Sequence, residues 1–258
     1  MPDIGNYTAT ATLVLGEAGK YFVLLLFSVL AIRLWRWWAK SSGSNRIKCL
    51  ILAGVVTGMA VTTGYFSMCH SLGKLYAYYG MSAFRENRLP QASALFALSL
   101  QYWKNADALG QNGVCLLLSG QPDRGLALLS QAKSLRQGNG APFEDFYEGL
   151  YFFTQGQPGN SAPLLAAASA DATYRWSAIK LLAVMELEAN RPAEASRLMQ
   201  PFMQADVTES DQAYVIAALK LAAGRKAEAL AVLDKIPAPA LTPMWQMKFE
   251  KLRAEINR

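Results

Sequence analysis

The residues best equipped for chemistry are few. Cys69 is followed by His70, the only histidine among 258 residues. A cysteine beside a histidine can supply a thiolate nucleophile when a third group holds the imidazole in place. Adjacent residues of a helix point about 100° apart, and no third group is evident to orient this pair. One histidine builds no histidine-rich metal site. Cys49, Cys69 and Cys115 make no disulfide framework, because the first two would lie about 30 Å apart along one helix, and small buried hydrophobes are their simpler reading. The glycines form no phosphate-cradling GxxxxGK(S/T) loop, and the acids show no paired acid–base spacing. The sequence predicts a non-enzymatic chain with no metal and no cofactor.

The elements that would position these groups start with a membrane segment. Cys49 to Cys69 contains no Asp, Glu, Lys or Arg, and a helix of that length covers the roughly 30 Å hydrocarbon core of a bilayer. A first apolar segment, 12–32, carries Glu17 and Lys20, three apart on one helical face and able to pair near the interface. It has no basic residue ahead of its apolar run until Lys20 and no small-residue cleavage site after Ile32, so it reads as a retained span, not a signal peptide. Between them, Arg33, Arg36, Lys40, Arg46 and Lys48 stand without an acid, beside Trp35, Trp37 and Trp38. Short basic loops stay cytoplasmic and tryptophans sit at the interface. The expected layout is a hairpin over 1–73 with spans at about 12–32 and 49–69 and a basic cytoplasmic loop at 33–48, then a soluble arm over 74–258. That layout implies a multi-pass protein of a bacterial inner membrane with a periplasmic arm. Gly54 and Gly58 form a GxxxG that admits close helix packing, with the first span or with a partner.

Charge excludes a nucleic-acid binder. The net charge is +6, but six basic residues (Lys20, Arg33, Arg36, Lys40, Arg46, Lys48) face only Asp3 and Glu17 in the first 70 positions. Four of the six net charges are thus a topology signal, and the arm is nearly neutral.

The arm repeats with a period near 34. Gly80, Ala92 and Phe96 recur as Gly113, Gly125, Leu129, then Gly149, Ser161, Leu165, then Ala183, Ala195, Met199, then Ala217, Ala229, Leu233. Each unit breaks at a turn residue: Asn87, Gly120, Gly156, Asn190 and Gly224. This pattern, clearest in GQPDRGLALLSQA, ANRPAEASRLM and AGRKAEALAVLDKI, resembles the tetratricopeptide repeat (TPR) family over about 74–236. The resemblance implies an all-α fold: two N-terminal transmembrane helices, a TPR-like α-solenoid of about five repeats, and a C-terminal capping helix after Pro237 and Pro239. Where the family carries a tyrosine midway along the first helix, this chain has Glu186 and Lys220 in the last two repeats. Facing each other in adjacent repeats, they are expected to form either an inter-repeat ion pair or two solvated side chains.

The resemblance also implies a groove lined by the first helices. Its positions map to Met81, Phe84, Val114, Leu117, Phe143, Phe146, Leu150, Phe153 and Tyr214, with Lys180, Val184 and Asp211 among their neighbours. An apolar, aromatic groove favours an amphipathic helix or a hydrophobic segment of another protein as guest. The aromatics from Phe143 to Phe153 are equally candidates for the core, although six are too many for one helix to bury. Together these readings imply a membrane scaffold or chaperone subunit that holds a partner protein in a cell-envelope assembly or secretion complex, with protein and lipid as partners. In layout it is similar to apoprotein-holding subunits of cytochrome c maturation, to repeat-bearing subunits of exopolysaccharide synthesis and export, and to accessory subunits of membrane transporters.

Overall fold

The computed structural model describes residues 25–136, 140–203 and 206–258. All regular structure among them is helical, and the chain divides into two units, 1–115 and 116–258. Residues 12–24 of the expected first span lie outside the described residues.

In the first unit a helix occupies 25–40 (α1) and a second runs from Ser44 to Arg85 (α2). Within the expected loop of 33–48, only Ser41 to Gly43 lie outside a helix. Arg, Trp, Ala and Lys do not break a helix, and α1 continues through them to Lys40. The chain turns at Ser41 to Gly43. The Ser41 hydroxyl donates to the Trp38 carbonyl at 2.9 Å, and Gly43 takes φ 65°, a conformation open to glycine.

Helix α2 has 42 residues, about 63 Å at 1.5 Å per residue. Its Leu50–Arg85 portion is long and apolar enough to cross a membrane, alone among the helices of the described residues. Only 11% of its most apolar stretch is buried inside the protein, unlike the core helix of a soluble domain. The expected boundary at residue 73 falls inside this helix, which enters the first repeat without a linker.

Helix α3 (Leu89–Tyr102) packs back along the last turns of α2. Small residues make this possible: a Cβ at Gly80 would stand 2.9 Å from the Phe96 ring, and one at Gly73 would stand 2.7 Å from the Trp103 Cβ. The buried Ser99 hydroxyl donates to the Gly73 carbonyl at 2.7 Å. Phe96 anchors a small core with Ala83, Ala92, Ala108 and Cys115; burying such a ring contributes roughly 2–3 kcal/mol. The Ser93 hydroxyl donates to Asn112 at 2.7 Å on α4 (Ala106–Leu118).

The second unit contains α5 (Pro122–Arg136), then the pairs α6 (Pro142–Thr154) with α7 (Pro158–Ala168), α8 (Arg175–Glu188) with α9 (Pro192–Met199), and α10 (Ser210–Ala222) with α11 (Lys226–Leu233). The final α12 (Pro243–Ile256) buries Trp245, Phe249, Leu252 and Ile256 against α10 and α11. The core joins Leu165, Met199, Val215 and Leu233 from successive repeats.

The periodic columns are the buried contacts. All fifteen positions from Gly80 to Leu233 are buried, and all five turn residues have positive φ, between 58° and 76°. Each turn closes one way: the residue after it donates its N–H five positions back, as Gln157 does to Phe152 and Arg225 to Lys220. That bond and the left-handed residue stop a helix. Pro122, Pro158 and Pro192 follow two residues later, where a missing N–H costs nothing. The expected Glu186–Lys220 pair is not formed. Glu186 meets Arg191 at 2.7 Å and Lys220 meets Glu228, each inside its own repeat.

Candidate functional site

The polar and aromatic side chains of the second unit gather on its first helices. α8 packs beside α6 and α10, and α10 beside α12. A spacing of 34 then aligns Phe146, Lys180, Tyr214 and Lys248, one from each helix. Two aromatics and two cations alternate along this row, and each cation is neutralised from within.

Lys180 is only 1% exposed. Its ammonium donates to Glu209 and, at 3.0 Å, to Asp211, and it stands 5.0 Å from the Trp176 ring centre. A buried ammonium loses several kcal/mol of hydration, and only paired carboxylates and an aromatic face offset that loss. Both carboxylates come from the start of α10, where Asp211 also accepts from the Gln212 N–H at 2.7 Å. Lys248 repeats the arrangement on α12. It pairs with Glu188 and lies 5.5 Å from the Phe153 ring and 5.9 Å from the Tyr214 ring. Tyr214 also meets Trp245 at 5.9 Å. Burial, assisted by Glu188 and Glu255, pushes the Tyr214 phenol up to about 12, so it stays neutral at physiological pH.

Helix α6 carries the aromatic end. Phe146 stacks on Tyr174 at 5.3 Å, and Phe143 lies 4.8 Å from Tyr147. Burial raises the pKa of both Tyr147 and Tyr174. Beneath this cluster Glu144, 0% exposed, is held by Arg136 through three hydrogen bonds of 2.9–3.1 Å. Lys133 bridges Asp145 and Glu148 at 2.6 Å each. Burial alone would lower the Lys133 pKa; its hydrogen bonds to these two acids outweigh that and raise it. These pairs fix the start of α6 to the end of α5.

Two clefts open between repeats. One of 520 Å³ is lined by Phe153, Leu182, Met185 and Glu186 with the turn at Gly156; another of 320 Å³ is lined by Leu187, Tyr214, Leu221 and Leu252. Of the expected groove positions, Phe143, Phe146, Leu150 and Tyr214 are half-buried with one side open, as are Met81, Phe84 and Leu117. Val114 is fully buried, as are Lys180 and Val184, so these three present core atoms and not a surface, and Phe153 is 7% exposed. Phe153 still forms the floor of the larger cleft. Sequence reasoning missed Lys248, Trp176 and Glu209; the 34-residue step from Tyr214 to Lys248 was the available signal. Gly54 and Gly58 face open space, with nothing within 4 Å of a Cβ added at either among the described residues.

No group of three His, Cys, Asp or Glu able to hold a metal comes together among the described residues. His70 lies against the Trp103 ring at 4.3 Å, and Cys115 is buried, its thiol pushed up to about 11 by desolvation.

Paired helices, left-handed turns and buried small residues at a 34-residue period define a tetratricopeptide-type repeat fold. No family model and no curated protein matches the chain. Among solved structures it is similar to PilF of Pseudomonas aeruginosa, with a TM-score of 0.56 and 17% identity over 73% of this chain and 90% of that one. A point variant of MamA gives a TM-score of 0.48 and 20% identity, over 70% of this chain and 96% of that one. Both neighbours are tetratricopeptide-repeat proteins. The likeness to PilF is one of fold.

Proposed function

We propose that the chain is a non-catalytic scaffold anchored in a bacterial inner membrane, whose repeats hold a segment of another protein in a cell-envelope assembly or secretion complex. The observation that carries this reading is α2, an exposed apolar helix that runs unbroken into a repeat fold. The basic residues around the α1–α2 turn favour a cytoplasmic turn and a periplasmic repeat domain. The guest surface is the open side of the α6–α10 row, where Phe146, Leu150, Tyr214, Leu187 and Leu221 offer apolar edges while Lys180 and Lys248 are already paired. A face of that kind suits an amphipathic helix with apolar residues at i, i+3 and i+4. Tethering confines the repeats near the bilayer and raises the effective concentration of a weakly bound client.

Photo-crosslinking tests this. A benzophenone side chain at Phe146 in the intact membrane protein is expected to join one amphipathic segment of a partner protein, and Leu150→Asp is expected to abolish the adduct. Equal, non-specific adducts with and without Leu150→Asp would overturn the groove. A second reading, an accessory subunit docked through its membrane helix, is favoured by the open Gly54–Gly58 face. Loss of the partner on Gly54→Leu and Gly58→Leu, with Leu150→Asp silent, would select it.

A further inference from the structure

Between Cys49 and Asp107 the only acid is Glu86, at the far end of the first repeat. In that acid-poor region α3 runs back along α2 and ends beside the apolar stretch, not away from it. Three contacts fix the level. The Ser99 hydroxyl is bonded to the Gly73 carbonyl at 2.7 Å, the Trp103 Cβ sits over Gly73, and the Trp103 ring lies 4.3 Å from His70. Tyr102 stacks on Tyr76 at 5.7 Å. Gly73 is four residues, about 6 Å, beyond Cys69 along the helix. The headgroup layer on each side of a bilayer is about 5–7 Å deep, so the turn after α3 falls inside it. Tyr102 and Trp103 are 39% and 36% exposed, and Lys104 is exposed beside them.

We propose that this turn, Tyr102–Trp103–Lys104, is a second membrane contact that seats the first repeat on the headgroup layer of the bilayer crossed by α2. Tryptophan and tyrosine rings prefer that layer because one edge is apolar and the other polar, and lysine places its ammonium among the lipid phosphates. The contact rests on the anchor reading of α2. It makes the first repeat a rigid foot: span, repeat helix and turn meet lipid at two points, which fixes the tilt of the repeat relative to the membrane plane.

The test uses the full chain in phospholipid vesicles with Cys49→Ala and Cys69→Ala, leaving the buried Cys115. A nitroxide is attached in turn at Lys104→Cys, Met59→Cys and Arg85→Cys, and its depth is read from collisions with oxygen and with a water-soluble nickel chelate. Expected are a deep label at 59, a label at headgroup level at 104, and a fully aqueous label at 85. A label at 104 as aqueous as that at 85, with 59 still deep, would overturn the contact and leave the anchor standing. An aqueous label at 59 would remove the anchor and the contact together.

Discussion

The two units hold their repeats together by different means. In the first, a small core of alanines, Cys115 and one large ring, Phe96, closes against Gly80, and the partner helix is the continuation of the apolar stretch. In the second, large apolar residues from every repeat join one core, and charges are taken inside and neutralised there, at Glu144 by Arg136 and at Lys180 by Glu209 and Asp211. A repeat rooted on a long helix can be stable with few contacts, because half of its framework is already ordered. Repeats standing only on their neighbours need both a continuous core and fixed polar pairs.

The sharpest way to break this contrast is to remove one large buried side chain from each unit. Phe96→Ala is expected to cost about 3–5 kcal/mol, read as faster amide exchange confined to α3 and the last turns of α2. Leu165→Ala is expected to cost about 2–5 kcal/mol and to loosen α6 to α11 together. Identical spread of the two effects would merge the units into one.

Lys180→Met is expected to cost about 3 kcal/mol by leaving Asp211 and Glu209 without their cation. Adding Asp211→Asn should recover part of it, and thermal denaturation of the three variants decides. An equal loss in the double variant would show that packing, not charge, is what Lys180 supplies.

Alkaline pH probes both units at once. The folded pKa values of Cys115 and Tyr214, about 11 and about 12, lie above their ordinary 9.0 and 10.0. Above pH 9 the unfolded chain therefore sheds protons that the folded chain keeps. The stability held below pH 9 then falls until the folded groups also ionise, and Lys133, raised as well, adds to the loss above pH 10.5. A decline of about 2 kcal/mol by pH 11 is expected, and Cys115→Ala should delay its onset from near pH 9 to near pH 10.

Smaller effects sit at the turns. Gly224→Ala, at φ 74°, should cost about 1–2 kcal/mol, whereas Asn190→Gly, at φ 58°, should be neutral or slightly stabilising in the same melting assay. Arg197→Ala breaks only the exposed pair with Glu194 and should change stability by less than about 0.5 kcal/mol.

The turns and columns were legible in the sequence because local geometry dictates them. A left-handed turn strongly favours Gly or Asn, and a close helix contact favours a small residue, whatever the tertiary context. What the sequence hid depends on long-range partners. Glu186 and Lys220 found Arg191 and Glu228 within their own repeats. Lys180 was read as a groove residue because its place in the repeat maps there, and only the start of α10, 29 residues on, reveals why it is buried. The helical course of 33–40 and 44–48 was not legible, because basic residues signal topology without ending a helix.

The central claim is that one uninterrupted helix crosses the bilayer and becomes the first helix of the repeats. Hydrogen exchange on the full chain in lipid nanodiscs tests it directly. Continuous protection from Leu50 through Arg85, with no fast amides between Cys69 and Leu75, is the predicted result. A band of rapid exchange there would mean a flexible linker, and would contradict both the continuous helix and the rigid first repeat built on it.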